Sequence, residues 1–166
     1  MKSKNNIDIK KIDPQDKPLM ELIASWYYKE WSIPIDNTLK SLNEFKKQGF
    51  PFQLVIKENN IPVATATGGL YRKVGLHHVF PQYQKYGPWI ALLYTIPEKR
   101  GQGLGAVLCK SIEEMALELE FKKIYLYTFT AERLYLRLNW QPIKRIVYRA
   151  HDTVIMKKEL AAISSG

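Results

Sequence analysis

Between the middle of the chain and its last third the sequence reads Thr95-Ile96-Pro97-Glu98-Lys99-Arg100-Gly101-Gln102-Gly103-Leu104-Gly105-Ala106, with three glycines in five residues. Glycine lets a backbone approach a bound group closely and takes positive φ at no steric cost. An apolar run precedes this stretch and an amphipathic run follows it, so the glycines fall where a strand gives way to a helix. The first amides of a helix have no partner within it and lie at the positive end of its dipole. Such residues at such spacing build an anion site out of main chain. Two familiar phosphate sites are excluded. No Gly-Lys-Ser/Thr follows, as a nucleotide P-loop requires, and no acidic residue after a second strand marks a dinucleotide fold.

These residues resemble the signature of the GNAT superfamily of N-acetyltransferases, Arg/Gln-x-x-Gly-x-Gly/Ala, met here by Arg100, Gly103 and Gly105. The resemblance extends to Pro97-Glu98-Lys99, similar to the family's Pro-Glu-Tyr, and to Tyr135-Leu136-Arg137-Leu138-Asn139-Trp140, similar to its Tyr-Glu-x-Leu-Gly-Phe/Trp. It covers nearly the whole chain and is strongest from Trp89 to Trp140. It implies that backbone groups of Leu93, Tyr94 and Thr95 bind the pantetheine arm and acetyl carbonyl of acetyl-CoA, and that the cradle of Arg100, Gly101, Gln102, Gly103, Leu104, Gly105 and Ala106 holds the pyrophosphate. It further implies Tyr135 as general acid to the departing sulfur. The reaction would be direct attack of a primary amine on the thioester in a ternary complex, with backbone donors stabilising the oxyanion and without a metal or an acyl-enzyme. Lys99 and Asn139 depart from the pattern, standing where the family has tyrosine and glycine. Asn tolerates the left-handed conformation better than most residues, so the turn at Asn139 survives.

Other chemistry-bearing residues lack a pattern of their own. The strand before the cradle carries no Glu or His for a general base, leaving His77, His78, His151, Asp152 or a water chain as candidates. Cys109, between Leu108 and Ile112, reads as a core residue. Trp26, Tyr27, Tyr28 and Trp31 divide between the core and a prospective acceptor pocket. Lys99, Arg100, Lys122, Lys123, Arg133 and Arg137 are the set from which partners of the adenosine 3′-phosphate would come, most of them reading as simply solvated and no single one being assigned.

Positioning these residues takes a defined set of elements. Ile7, Ile9 and Ile12 alternate with polar residues as a first strand. Asp13 or Asp16 caps a helix with Leu19, Leu22, Ile23, Trp26 and Tyr27 on one face, ending near Trp31. A second helix follows Pro34, with Asp36 as its cap, Leu39, Leu42 and Phe45 on its apolar face and Gly49 as its stop. Phe52–Lys57 and Ile61–Leu70 read as a hairpin about Glu58-Asn59-Asn60. Tyr71–Gly87 has no sustained period and reads as a long loop, the expected site of acceptor contacts. Trp89–Ile96 reads as a strand buried on both faces. Leu104, Val107, Leu108, Ile112, Met115, Ala116 and Leu119 form the stripe of a long helix. Ile124–Thr128 is then a strand, Ala131–Leu138 a short helix, and Ile143–Arg149 with Thr153–Lys158 a closing pair of strands. Strand, helix and strand at this spacing form a parallel crossover.

The fold class is α/β (α+β), a GNAT-like mixed, mostly antiparallel sheet of six or seven strands with helices on both faces. The chain of 166 residues fits a single acetyltransferase domain, 1–166, with flexible ends near 1–6 and 160–166. The net charge is +9, of which +7 lies after Phe50, and this favours a polyanionic ligand. One cysteine excludes an internal disulfide and points to a reducing cytoplasm. The residues after Met1 lack the apolar stretch of a signal peptide, and no apolar run is long enough to span a bilayer, so no membrane partner is expected. The expected acceptor is a small-molecule amine or a protein amine, and a homodimer is common in the resembled family. A non-catalytic acyl-CoA sensor of the same fold is the alternative. A nucleic-acid binder ranks below it, because no recognition helix or aromatic-basic strand accompanies the charge.

Overall fold

Period-two and period-3.6 segments alternate along the chain, and in a computed structural model that describes residues 6–45, 51–70 and 76–160 they become seven strands and five α-helices. The strands are β1 (Ile7–Lys11), β2 (Phe52–Glu58), β3 (Ile61–Leu70), β4 (Trp89–Thr95), β5 (Lys123–Thr128), β6 (Gln141–Tyr148) and β7 (His151–Glu159). They form one sheet in the order β1-β2-β3-β4-β5-β7-β6. β4 and β5 are parallel, with Trp89 opposite Tyr125, whereas β1–β2, β2–β3, β5–β7 and β6–β7 are antiparallel. The expected mixed, mostly antiparallel sheet is thus present with seven strands.

The chain divides into two compact units, Met1–Gly68 with Leu92–Leu108 and Gly69–Ala91 with Cys109–Gly166. In the first, α1 (Lys17–Trp31) starts where the Asp16 carboxylate accepts from the Leu19 amide at 3.2 Å. It ends where Ser32 turns left-handed and its N–H returns to the Tyr28 carbonyl. Leu19, Met20, Ile23, Ala24, Trp26 and Tyr27 are buried, but Leu22, expected on that face, is exposed, the stripe lying one residue to its side. In α2 (Ile35–Glu44) Pro34 is the cap residue and Asp36 lies in the first turn, where its charge faces the dipole without a capping bond. This corrects the expected cap; the expected stop, Gly49, lies outside the described residues. Leu42 packs with the α1 face, Ile12, Val55 and Tyr94 in one cluster. Asn59 and Asn60, both left-handed, make the tight β2–β3 turn that their type favours.

In the second unit, the described part of the expected long loop is helical. α3 (Leu76–Val79) and a 3₁₀ turn over Pro81–Lys85 are closed by local bonds such as Phe80 N–H to the Leu76 carbonyl at 2.9 Å. Turns this short carry no detectable period, and tertiary packing supplies what periodicity cannot. Seven aromatic rings there form a closed circuit: Phe80, Tyr83, Tyr86, Tyr125, Trp89, Tyr127, Tyr148 and back to Phe80, with neighbouring centroids 4.9 to 6.5 Å apart. α4 (Leu104–Glu118) runs from the first unit into the second and buries Leu104, Leu108, Cys109, Ile112 and Ala116. Val107 and Leu119, read as part of its stripe, are 37% and 45% exposed: Val107 lies to one side of the face made by Leu104, Leu108, Ile112 and Ala116, and Leu119 comes after the helix has ended at Glu118. α5 (Glu132–Arg137) leads to the β6–β7 hairpin, turned by left-handed Arg149 and Ala150.

Candidate functional site

From Leu92 onward β4 belongs to the first unit, where its own side chains and α1 hold it. Trp89, Ile90 and Tyr94 are buried, while Ala91, Leu92, Leu93 and Thr95 are half-buried, so the strand is less enclosed than its composition predicts. Leu92 adopts φ 55°, left-handed in the middle of an extended strand, and redirects the peptide groups that follow. The Tyr94 ring stacks on Trp26 at 5.4 Å, meets the edge of Trp31 at 6.1 Å and lies 5.6 Å from the Arg100 guanidinium. Two of the α1 aromatics considered for an acceptor pocket therefore clamp the strand, and a third, Tyr27, is buried. Tyr28 is 55% exposed and Trp31 half-buried.

Beyond β4 a 3₁₀ turn, Pro97–Lys99, carries the chain to the glycines. Lys99 Nζ bonds Glu58 Oε1 at 3.0 Å, where the carboxylate is only 8% exposed. The departure from the family's tyrosine thus fastens this turn to the end of β2. Arg100 Nε donates to the Thr95 carbonyl at 2.9 Å, and its Nη2 lies 3.6 Å from Glu30. Both cations are engaged by protein groups, whereas Lys122, Lys123, Arg133 and Arg137 are exposed. Glu58 and Glu30 have no sequence pattern that singles them out; their partners lie 41 and 70 residues further along the chain.

Gly101 and Gly103 have φ 78° and 83°, and at each the position of a Cβ meets nothing within 4 Å. Their glycine character is therefore required by conformation, and the space beside the main chain is open. The Val107 amide donates to the Gly103 carbonyl at 3.1 Å, the first such bond of α4. The amides of Leu104, Gly105 and Ala106 precede it and have no helical partner. Bare, left-handed main chain followed by unpaired helix amides fits a pyrophosphate without a single side chain. The predicted cofactor residues from Leu93 to Ala106 all belong to this unit.

Tyr135 belongs to the second unit. It lies in α5, 7% exposed, its ring 6.0 Å from Trp140 in an edge-on contact, and its carbonyl accepts from the Trp140 amide at 2.9 Å. The turn between them contains Asn139 at φ 69°, the conformation inferred from the family's glycine. Lys158 Nζ donates to the Leu138 carbonyl at 2.8 Å and pairs with Glu113, pinning the end of α5. Burial, reinforced by Cys109, pushes the Tyr135 phenol well above its usual range, so it is protonated at neutral pH. Burial and then the Glu113 charge raise the Cys109 thiol to about 12, against a smaller opposing effect of Lys158. A buried thiol held protonated is no nucleophile.

Of the base candidates, His78, His151 and Asp152 are exposed, His151 stacked on Phe129 at 4.2 Å, and the His77 side chain lies outside the described residues. Among the described residues no group of three or more His, Cys, Asp or Glu is placed to hold a metal ion, and no helix is long and apolar enough to cross a membrane.

A model of the acetyltransferase (GNAT) family matches residues 17–140, and the chain belongs to that family. The chain is similar to an aminoglycoside 6′-N-acetyltransferase complexed with coenzyme A, at TM-score 0.72 and 13% identity over 93% of this chain and 98% of that one. An N-acetyltransferase from Staphylococcus aureus Mu50 is similar at TM-score 0.69 and 16% identity, covering 94% and 99%. So is yncA from Salmonella typhimurium, solved with its cofactor acetyl-CoA, at TM-score 0.65 and 17% identity, covering 97% and 98%. At these identities the likeness is one of fold. No curated protein sequence matches the chain.

Proposed function

We propose that the chain is one acetyltransferase domain that moves the acetyl group of acetyl-CoA to a primary amine, by direct attack with both substrates bound. The observation that carries this reading is the bare main chain at Gly101 and Gly103, open beside each Cβ position and followed by unpaired helix amides. The amides of Gly101 to Ala106 hold the pyrophosphate and the peptide groups of Leu93 to Thr95 align the thioester. As the amine nitrogen bonds the carbonyl carbon and the carbon–sulfur bond breaks, Tyr135 gives its phenolic proton to the departing sulfur. The family and the N-acetyltransferases of the same fold support nitrogen as the acceptor atom. A small amine and a protein amine are both within the reading. The free, buried Cys109 supports a reducing, cytoplasmic setting.

Calorimetric titration with coenzyme A tests the cradle. Wild-type protein binds, and Gly103→Val, which cannot hold φ 83° without strain, binds about tenfold more weakly. Equal affinity in the variant sinks the assignment. Thiol release from acetyl-CoA across a panel of amines then identifies the acceptor, and no turnover with any of them removes the catalytic part of the reading.

A further inference from the structure

The first unit contains a buried hydrogen-bond chain in which every donor direction is fixed. Thr67 Oγ1 donates to Gln53 Oε1 at 2.6 Å, so the two protons of Gln53 Nε2 must go elsewhere. One goes to the Tyr27 hydroxyl at 2.9 Å and the other to Thr65 Oγ1 at 2.7 Å, and Thr65 passes its own proton to the Leu54 carbonyl at 2.6 Å. The Tyr27 oxygen, already accepting from Gln53, aims its proton at the Leu92 carbonyl at 2.6 Å. Gln53, Thr65, Thr67 and Tyr27 are 0 to 2% exposed, so water does not compete for these groups. Burial pushes the Tyr27 phenol up, which keeps that proton in place.

The recipient is the residue in β4 whose backbone is strained. Leucine at φ 55° crowds its Cβ against the main chain, and such a conformation persists only where its surroundings hold it. The next three peptide groups are those of Leu93, Tyr94 and Thr95. We propose that Thr67, Gln53 and Tyr27 form a positioning device that, by binding the Leu92 carbonyl, holds Leu92 left-handed and so sets the direction of the peptide groups that align the thioester. Polar pairing that merely fixes the register of β2 on β3 needs Gln53, Thr65 and Thr67 but has no use for a phenol reaching Leu92. The device rests on the acetyl-transfer reading for its consequence, but not for the hold on Leu92.

The test compares full-length wild-type and Tyr27→Phe protein by three measurements. The strong intraresidue amide–Hα nuclear Overhauser effect of Leu92 reports its left-handed backbone. Steady-state kinetics give kcat and KM for acetyl-CoA, and titration gives the coenzyme A affinity. In Tyr27→Phe the Leu92 signature is lost and kcat falls about tenfold or more, while coenzyme A affinity, set by the glycine cradle, changes less than about threefold. Adding Leu92→Gly restores kcat to within about threefold of wild type, because glycine occupies positive φ without being held. Retention of the Leu92 signature in Tyr27→Phe overturns the device, whatever the rate does. A lost signature with unchanged kcat overturns its bearing on the reaction. If wild-type protein acetylates no amine, the acetyl-transfer reading has failed, and the Leu92 signature still decides the hold. Should Tyr27→Phe not fold, Thr67→Val, of nearly equal volume, replaces it in the comparison, and the Leu92 signature and kcat decide in the same way.

Discussion

Tyr135 and Cys109 show how burial assigns opposite fates to two ionisable side chains in the same unit. Both keep their protons, since desolvation is the first cause of each shift. For the general acid that the proposed function makes of Tyr135, protonation at neutral pH is the required starting state. Tyr135→Phe is expected to lower kcat about a hundredfold with coenzyme A affinity unchanged, read from initial rates and titration. For a thiol the same burial means inertness. Cys109 is expected to resist alkylation at pH 8 in native protein and to react once the chain is unfolded, with mass spectrometry of the modified protein as the readout. The left-handed backbone at Gly101, Gly103 and Asn139 was legible in the sequence because residue type is itself the signal at those positions. Gln53 and Glu58 were not. Their roles come from partners such as Tyr27, 26 residues away, and Lys99, 41 residues away, and no local pattern records such distances.

At the scale of elements, α1, α4 and the β2–β3 hairpin followed from period and turn chemistry, because each buries a stripe or turns on Asn. α3 and the 3₁₀ turn after it did not, since four- and five-residue helices owe their shape to the aromatic rings they pack with. The end of α5 shows another device that sequence conceals, a cation of β7 reaching both a helix carbonyl and a carboxylate of α4. The Lys158 and Glu113 side chains are 25% and 12% exposed. Lys158→Met leaves Glu113 without its counter-charge and Leu138 without its donor, and is expected to cost about 2 kcal/mol, measured as a lower denaturation midpoint. Glu113→Gln in the same background returns part of that loss by removing the stranded charge.

The whole molecule carries a net charge of +9, yet its response to alkali is set by a few buried groups. Cys109 and Tyr127 are raised to about 12, and Tyr27 and Tyr135 lie higher still, all chiefly by burial. The unfolded chain releases these protons from about pH 9 for cysteine and 10 for tyrosine, whereas the native state retains them. Above those values the unfolded state binds fewer protons, so stability is fully present at neutral pH and declines as pH rises from about 9 towards 12. Urea midpoints at intervals from pH 7 to 11 are expected to be flat and then to fall, and Cys109→Ala is expected to make the fall less steep. The circuit of seven rings in the second unit has a consequence of another kind. Six of its members are phenylalanine or tyrosine and the seventh is Trp89, fully buried, so light absorbed by the tyrosines has an acceptor at van der Waals range. Excitation near the tyrosine maximum should emerge as tryptophan emission in the native protein and as separate tyrosine emission after unfolding, and because Tyr94 and Tyr27 lie 5.4 Å from Trp26 and Trp31 respectively in the first unit, replacing those two tryptophans by phenylalanine leaves the signal to the second unit.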